Sequence, residues 1–148
     1  MEAHYYNVDV SWSKERKGIM CSPELNKDVN CCIEVATPPE FPKGIPGIWS
    51  PEHLFTAAVN SCLMTTFLSI AENSKLEFKK FSCKSKGKME QVDGKFLMTE
   101  IILEPTVVIV HEQDRERAER ILQKSEAACL ISNSIRSKIT MSPIIVTE

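Results

Sequence analysis

Between residues 4 and 12 the chain alternates, with Tyr6, Val8, Val10 and Trp12 on one parity. A period of two predicts a half-buried strand. After a polar turn over residues 14–18, short strands are expected over residues 19–22 and 30–36, the second rich in Cys31, Cys32, Ile33 and Val35. Residues 37–49 hold four prolines (Pro38, Pro39, Pro42, Pro46) and two glycines (Gly44, Gly47), which predicts a loop. A bare connection of that length points to a functional loop. Ser50-Pro51-Glu52 then carries a helix start: a hydroxyl at the N-cap, proline at the first helical position and an acid in the first turn. The helix is expected to run to about Asn73, with no charge between His53 and Glu72 and apolar or small residues on every face. Such a helix is expected to be central and buried.

Residues 76–92 and 95–111 read as two long strands around Asp93-Gly94, a dipeptide suited to the positive φ angles of a tight hairpin turn. Asp114 is the expected cap of a second helix, in which Ala118, Ile121, Leu122, Ser125, Ala128 and Cys129 recur at helical spacing. That helix is expected to end near Cys129. Residues 136–147 complete the chain as a last strand interrupted by Pro143. Strands, helix, hairpin, helix and strand in that order predict an α+β fold of antiparallel sheets wrapped around a central helix.

Composition narrows the function classes. With 148 residues, 43% hydrophobic and 26% charged, the expectation is a single domain over residues 1–148. Its 18 basic and 20 acidic residues give a net charge of −2, without the broad positive field that nucleic-acid binding needs. No stretch approaches the roughly 18 apolar residues of a membrane span, and the first residues show no signal-peptide pattern. A cytoplasmic protein binding neither membrane nor nucleic acid is the expectation. The six cysteines then read as thiols rather than a disulfide framework. Cys21, Cys31, Cys32 and Cys83 are expected to pack, with the adjacent Cys31 and Cys32 on opposite faces of a strand. No cysteine pair has zinc spacing, and His4, His53 and His111 are scattered, so neither metal nor cofactor is expected.

Cys62, mid-helix, and Cys129, at the end of the second helix, would each ordinarily be a small hydrophobe filling a core. Glu52 at a helix start would ordinarily complement the helix dipole, and Arg16 in a polar turn would be solvated surface. Together they look different. Ser50-Pro-Glu-His-Leu-Phe-Thr-Ala-Ala-Val-Asn-Ser-Cys62 resembles the Asn-Pro-Glu-(Gln/Glu)-Leu segment of the OsmC/Ohr family, the osmotically induced and organic-hydroperoxide-resistance proteins, with a cysteine ten positions after the glutamate. Cys129-Leu-Ile-Ser-Asn133 is similar to that family's Cys-Pro-Tyr-Ser-Asn around its second cysteine. The order of elements fits the same family across nearly the whole chain. His53 stands where the family has Gln or Glu, and Leu130 and Ile131 where it has Pro and Tyr.

The resemblance implies an OsmC-like fold and a thiol-dependent peroxidase that reduces organic hydroperoxides or hydrogen peroxide as an intertwined homodimer. It implies Cys62 as the peroxidatic cysteine, Cys129 as the resolving cysteine and Glu52 as the active-site glutamate. Arg16, followed by Lys17-Gly18, is the best match to the arginine that pairs with the thiolate. The implied reductant is an external dithiol, supplied by a lipoylated protein or a small thiol. Each member has a physical role: a buried thiol has a raised pKa, so Cys62 needs a cation, and a carboxylate can orient a guanidinium. A disulfide between Cys62 and Cys129 requires their α-carbons within roughly 7 Å. The end of the second helix must therefore lie against the middle of the first. Ten helical residues between Glu52 and Cys62 span about 15 Å, so a shared site takes its glutamate from the partner subunit. An apolar lining from Phe55, Val59, Leu130, Ile131 and Trp49 would favour organic hydroperoxides. Two alternatives remain open: a redox sensor or small-molecule-binding protein of the same fold, whose cysteines oxidise without turnover, and a structural dimer with inert thiols.

Overall fold

The computed structural model describes residues 1–27 and 31–148. The expected strand beginning at Asn30 therefore starts outside the described residues. Contacts divide the chain into two compact units, residues 1–54 and 55–148.

The first unit is built on an antiparallel sheet of β1 (Asp9–Lys14), β2 (Lys17–Cys21) and β3 (Cys32–Ala36), in that order. Every residue of β1 is exposed, including Val10 and Trp12, so the alternation read from the sequence does not mark a face buried within one chain. The β1–β2 turn is fixed locally: Glu15 takes a φ of 52° and its carbonyl accepts the Trp12 indole N–H at 3.0 Å. Residues 37–49 lack regular structure but are internally bonded. The Thr37 N–H reaches the Arg16 carbonyl at 3.1 Å, the Ile45 N–H reaches the Thr37 carbonyl at 2.9 Å, and the Ala36 N–H reaches the Trp49 carbonyl at 2.9 Å. Proline supplies no N–H here, and the Phe41 and Gly44 N–H groups also find carbonyls, those of Pro38 and Phe41.

Cys21 and Cys32 are paired across β2 and β3 and joined by a disulfide. This corrects the expectation that these cysteines are packing thiols. The period-2 pattern identified the strands, but cross-strand register decides which cysteines meet. Cys31 lies just before β3, and its Sγ sits 3.8 Å from that of Cys32 rather than on the opposite face.

Helix α1 (Pro51–Asn73) starts and stops as predicted. The Ser50 Oγ accepts the His53 backbone N–H at 3.1 Å, satisfying one of the donors a helix start leaves free. Its buried residues are Val59, Leu63, Phe67 and Ala71, four residues apart and hence one stripe. Met64 and Leu68, on another face, are 39% and 42% exposed, so the all-round burial expected from sequence is not reached in a single chain. By length and composition alone α1 is apolar enough to cross a membrane, with a mean hydropathy of 1.6 over its most apolar window. That corrects the reading that no stretch approaches this limit.

The second unit's sheet is formed by β4 (Phe78–Val92), β5 (Lys95–Ile109), β6 (Lys138–Met141) and β7 (Ile144–Thr147). β4 and β5 form the predicted hairpin, with Asp93 and Gly94 at φ of 50° and 79°. The last segment forms two strands, β6 and β7, and both run parallel to β5 rather than antiparallel. Between them the Ser142 N–H bonds the Leu103 carbonyl at 2.9 Å, so Pro143 interrupts the strand without detaching it from the sheet. Along β5, Ile101, Leu103, Pro105, Val107 and Ile109 are buried. Val59 and Leu63 pack with Ile101 and Leu103, while Phe67 and Ala71 pack with Val107 and Ile109. Gly87 lets α1 approach β4, because a Cβ there would lie 2.0 Å from the Thr56 Oγ1.

Helix α2 (Arg115–Ala128) adds Ala118, Ile121 and Leu122 to the core and is followed by the short helix α3 (Leu130–Asn133). Asp114 makes no capping hydrogen bond and pairs instead with Arg117 at 3.3 Å. Arg117 also donates to the Ser74 carbonyl at 2.6 Å, tying α2 to the end of α1.

Candidate functional site

Cys62 lies on the fourth turn of α1, one residue before the buried Leu63, and is half-buried beside the core rather than within it. Cys129 occupies the break between α2 and α3, where φ and ψ of −65° and 115° interrupt the helical path. That break turns the chain, and α3 starts with Leu130 and Ile131 set against α1. The end of α2 thus lies against the middle of α1, and the Cys129 thiol engages Cys62.

The two thiols are driven apart in acidity. Burial raises the pKa of Cys62, but hydrogen bonds from the Cys129 thiol, the Ile131 N–H, the Thr66 hydroxyl and the Leu130 N–H outweigh it and hold Cys62 below the ordinary thiol value. The Thr66 Oγ1 is 3.9 Å from the Cys62 sulfur. Burial pushes Cys129 up, and its hydrogen bond to Cys62 pushes it further, with Ser132 offsetting this only in part. Cys62 is therefore the more acidic of the two sulfurs, and Cys129 the one held more firmly as a thiol. The backbone donors were not legible in the sequence, where nothing marks a break that aims two amides at a cysteine 67 positions earlier.

Phe55 and Ile131 pack around this region with Val59, Leu63 and Ile135. Val59 is fully buried and belongs to the core rather than to a lining, whereas Leu130 is 68% exposed. Leu130 and Ile131 thus bring apolar surface to the neighbourhood of Cys62, and the Cys129-Leu-Ile segment carries both.

Arg16 and Glu52 belong to the first unit. Arg16 is exposed in the β1–β2 turn and lines an open cleft of about 500 Å³ with Val10, Trp12, Glu15, Lys17, Gly18 and Thr37. Glu52 is half-buried in the first turn of α1, ten residues before Cys62 on one continuous helix. About 15 Å of helical rise therefore separates them within a chain. His53 accepts or donates a 2.6 Å bond between its Nδ1 and the Ser50 Oγ and lies edge-on to Trp49, with ring centroids 6.2 Å apart. In the sequence this histidine is one of three scattered ones and a departure from the family motif, and neither feature shows its bond to Ser50. Trp49 is half exposed and borders a shallow cleft with Gly47, Ile48 and His53. Among the described residues, no group of three or more His, Cys, Asp or Glu side chains could hold a metal ion.

A family model described as OsmC-like protein matches residues 44–143, a span that takes in α1, both long strands and the cysteine-bearing break. The chain belongs to the OsmC-like family. It is 23% identical over 144 residues to YmaD of Bacillus subtilis, covering 95% of this chain and 93% of that one. An OsmC-like protein of unknown function from Vibrio cholerae shares the fold with a TM-score of 0.83 at 21% identity, covering 96% of this chain and all of that one. A Legionella pneumophila structure, described as an organic hydroperoxide resistance protein OsmC, aligns at a TM-score of 0.75 and 20% identity over 99% of both chains. The OsmC-like α+β architecture, with its long central helix, is therefore the fold of this chain.

Proposed function

We propose that this OsmC-like protein is a thiol-dependent peroxidase that reduces organic hydroperoxides, with Cys62 peroxidatic and Cys129 resolving. The observation that carries the reading is the arrangement of two cysteines in contact, with Cys62 receiving hydrogen bonds from the Cys129 thiol and from the Leu130 and Ile131 N–H groups. In the first step the Cys62 thiolate attacks the distal oxygen of the hydroperoxide. The O–O bond breaks, the alkoxide leaves and takes up a proton, and Cys62 becomes a sulfenic acid. The Cys129 thiol then attacks the Cys62 sulfur, its proton leaves with the departing hydroxide as water, and a disulfide forms. An external dithiol reduces that disulfide by two exchanges and is itself oxidised. Exposed Leu130 beside half-buried Ile131 supports an organic substrate over hydrogen peroxide.

The working form in this reading is a homodimer. Support comes from α1, which carries no charge between His53 and Glu72 and leaves Met64 and Leu68 uncovered, and from Val10 and Trp12, exposed on β1. A second copy would bury both surfaces and would bring the partner's guanidinium and carboxylate within reach without the helical separation that keeps Glu52 from its own Cys62. Arg16 is assigned as the cation for the thiolate and Glu52 as the carboxylate that orients it.

The test is consumption of cumene hydroperoxide with dithiothreitol, run beside Cys62→Ser and Cys129→Ser, with mass measured by light scattering. Many turnovers, lost in Cys62→Ser, and a disulfide missing in Cys129→Ser are the expected results. A native, reduced protein that consumes no more than one equivalent per subunit overturns the peroxidase reading. A monomer that turns over at full rate overturns the shared site.

A further inference from the structure

Strands β2 and β3 carry a second group of sulfur atoms, which the Cys62 chemistry does not use. Cys21 and Cys32 are joined by a disulfide across the strand pair, their α-carbons 4.1 Å apart. Cys31 is a free thiol, and its sulfur is 3.8 Å from that of Cys32, in van der Waals contact with one half of the disulfide. Of the three residues Cys32 is exposed, while Cys21 and Cys31 are half-buried. The sulfur open to solvent is therefore the one that is bonded to Cys21 and touched by Cys31. Thiol–disulfide exchange depends on which sulfur an attacking thiolate can reach, and exposed disulfides are the labile ones.

We propose that Cys21, Cys31 and Cys32 form a second thiol–disulfide exchange site, which takes a small external thiol at Cys32 and uses Cys31 as its resolving nucleophile. The external thiolate attacks the Cys32 sulfur, the bond to Cys21 breaks, and Cys21 leaves as a thiolate that takes up a proton. Cys32 now carries a mixed disulfide. Cys31, giving up its proton to solvent, attacks the same Cys32 sulfur, and the external thiol departs with the electron pair of the broken bond. The product is a Cys31–Cys32 disulfide with Cys21 free. No net oxidation occurs, because the disulfide has only moved. An excess of dithiol carries the exchange further, leaving all three cysteines reduced and the dithiol oxidised. Either way the covalent link between β2 and β3 is lost, and those strands are held by their ladder and by the 3.0 Å ion pair of Lys17 with Glu34.

The experiment incubates the air-oxidised protein with millimolar glutathione, traps free thiols with N-ethylmaleimide and maps every cysteine by peptide mass. In the native protein the expected result is alkylated Cys21, a peptide in which Cys31 and Cys32 together lack two hydrogens, and little glutathione on Cys32. In Cys31→Ser the glutathione adduct on Cys32 is expected to accumulate on the order of tenfold above native, because a thiol in contact acts at an effective concentration well above millimolar. Cys31→Ala must behave alike, which separates the lost nucleophile from any effect of the new hydroxyl. A Cys21–Cys32 disulfide that survives the incubation overturns the proposal. So does an adduct no more abundant in the two Cys31 variants than in the native protein. The map reads each cysteine separately, so the outcome does not depend on whether Cys62 and Cys129 turn over peroxide.

Discussion

Replacing Cys129 by alanine removes one of the four donors that hold the Cys62 pKa down. A hydrogen bond to a charged group contributes about 1.5–3 kcal/mol, and a thiol, being a weak donor, belongs at the low end. At about 1.4 kcal/mol per tenfold change in an equilibrium, Cys129→Ala should raise the Cys62 pKa and lower its thiolate population at neutral pH by about tenfold. Cys129 is only 1% exposed, so the space it leaves is walled off from the bulk water that would replace the lost donor. The sign follows directly: the donor favours the charged form, its loss raises the pKa, and at any pH below both values the thiolate fraction falls. Alkylation of Cys62 by iodoacetamide, followed by peptide mass from about pH 5 to about pH 10, should therefore slow by about tenfold at neutral pH and reach the same plateau at high pH. Cys129→Ser retains a donating O–H and should stay within about threefold of the native rate, although it cannot form the disulfide. An unchanged or lowered apparent pKa in Cys129→Ala would refute the claim that the neighbouring thiol stabilises the Cys62 thiolate.

Three further outcomes are expected. Glu112 is held at about 2 by its hydrogen bond to Arg115 and by Thr147. A carboxylate with a depressed folded pKa stabilises the fold above its ordinary 4.5, a contribution lost as the pH falls towards about 2. Glu112→Gln should therefore be less stable than native in urea at neutral pH, with the difference closing across that window. Phe67 is fully buried, stacked on Phe81 with ring centroids 4.9 Å apart and edge-on to Phe78 at 5.2 Å. Phe67→Ala should cost about 3–5 kcal/mol in a urea titration, and a loss below about 1 kcal/mol would refute its place at the centre of the core. Burial pushes the Cys83 thiol up to about 11. At pH 8 only about one in a thousand Cys83 side chains is a thiolate, so iodoacetamide should modify Cys62 well before Cys83 in the folded protein, and equal rates would refute the assignment.

What the sequence revealed and what it concealed divide along a physical line. Signals that act within a few residues were legible: Ser50-Pro51-Glu52 placed the start of α1, and Asp93-Gly94 placed the hairpin turn. The spacing of Ala118, Ile121, Leu122 and Ser125 identified the face of α2 that is buried. Quantities set by register or by pairing at a distance were not. The Cys21–Cys32 disulfide depends on which residues of β2 and β3 stand opposite each other, and no local pattern states that register. The parallel pairing of β6 and β7 with β5 likewise depends on the path taken after α3. At the candidate site the sequence motifs singled out Cys62 and Cys129, whereas the amides of Leu130 and Ile131 are backbone groups, which no side-chain motif displays.

Cys62 and Cys83 show how the donors facing a sulfur decide its acidity where burial acts alike on both. Both sulfurs lose water on folding, and desolvation is the largest effect on each pKa, acting in the same direction. They part because of what faces them. Cys83 lies in β4, where a single backbone N–H, that of Glu104, offsets burial only in part, while its thiol donates to the Lys84 carbonyl at 3.6 Å and the Glu104 carboxylate adds negative charge nearby. A strand offers its N–H groups to the neighbouring strand, so few remain for a side chain. Cys62 instead faces the start of a new helix, where the first N–H groups have no partner within the helix and are free to point outward. The break at Cys129 creates that start and also delivers the second thiol. One local departure from helical geometry thus supplies both the donors that favour a thiolate at Cys62 and the sulfur positioned to resolve its oxidation.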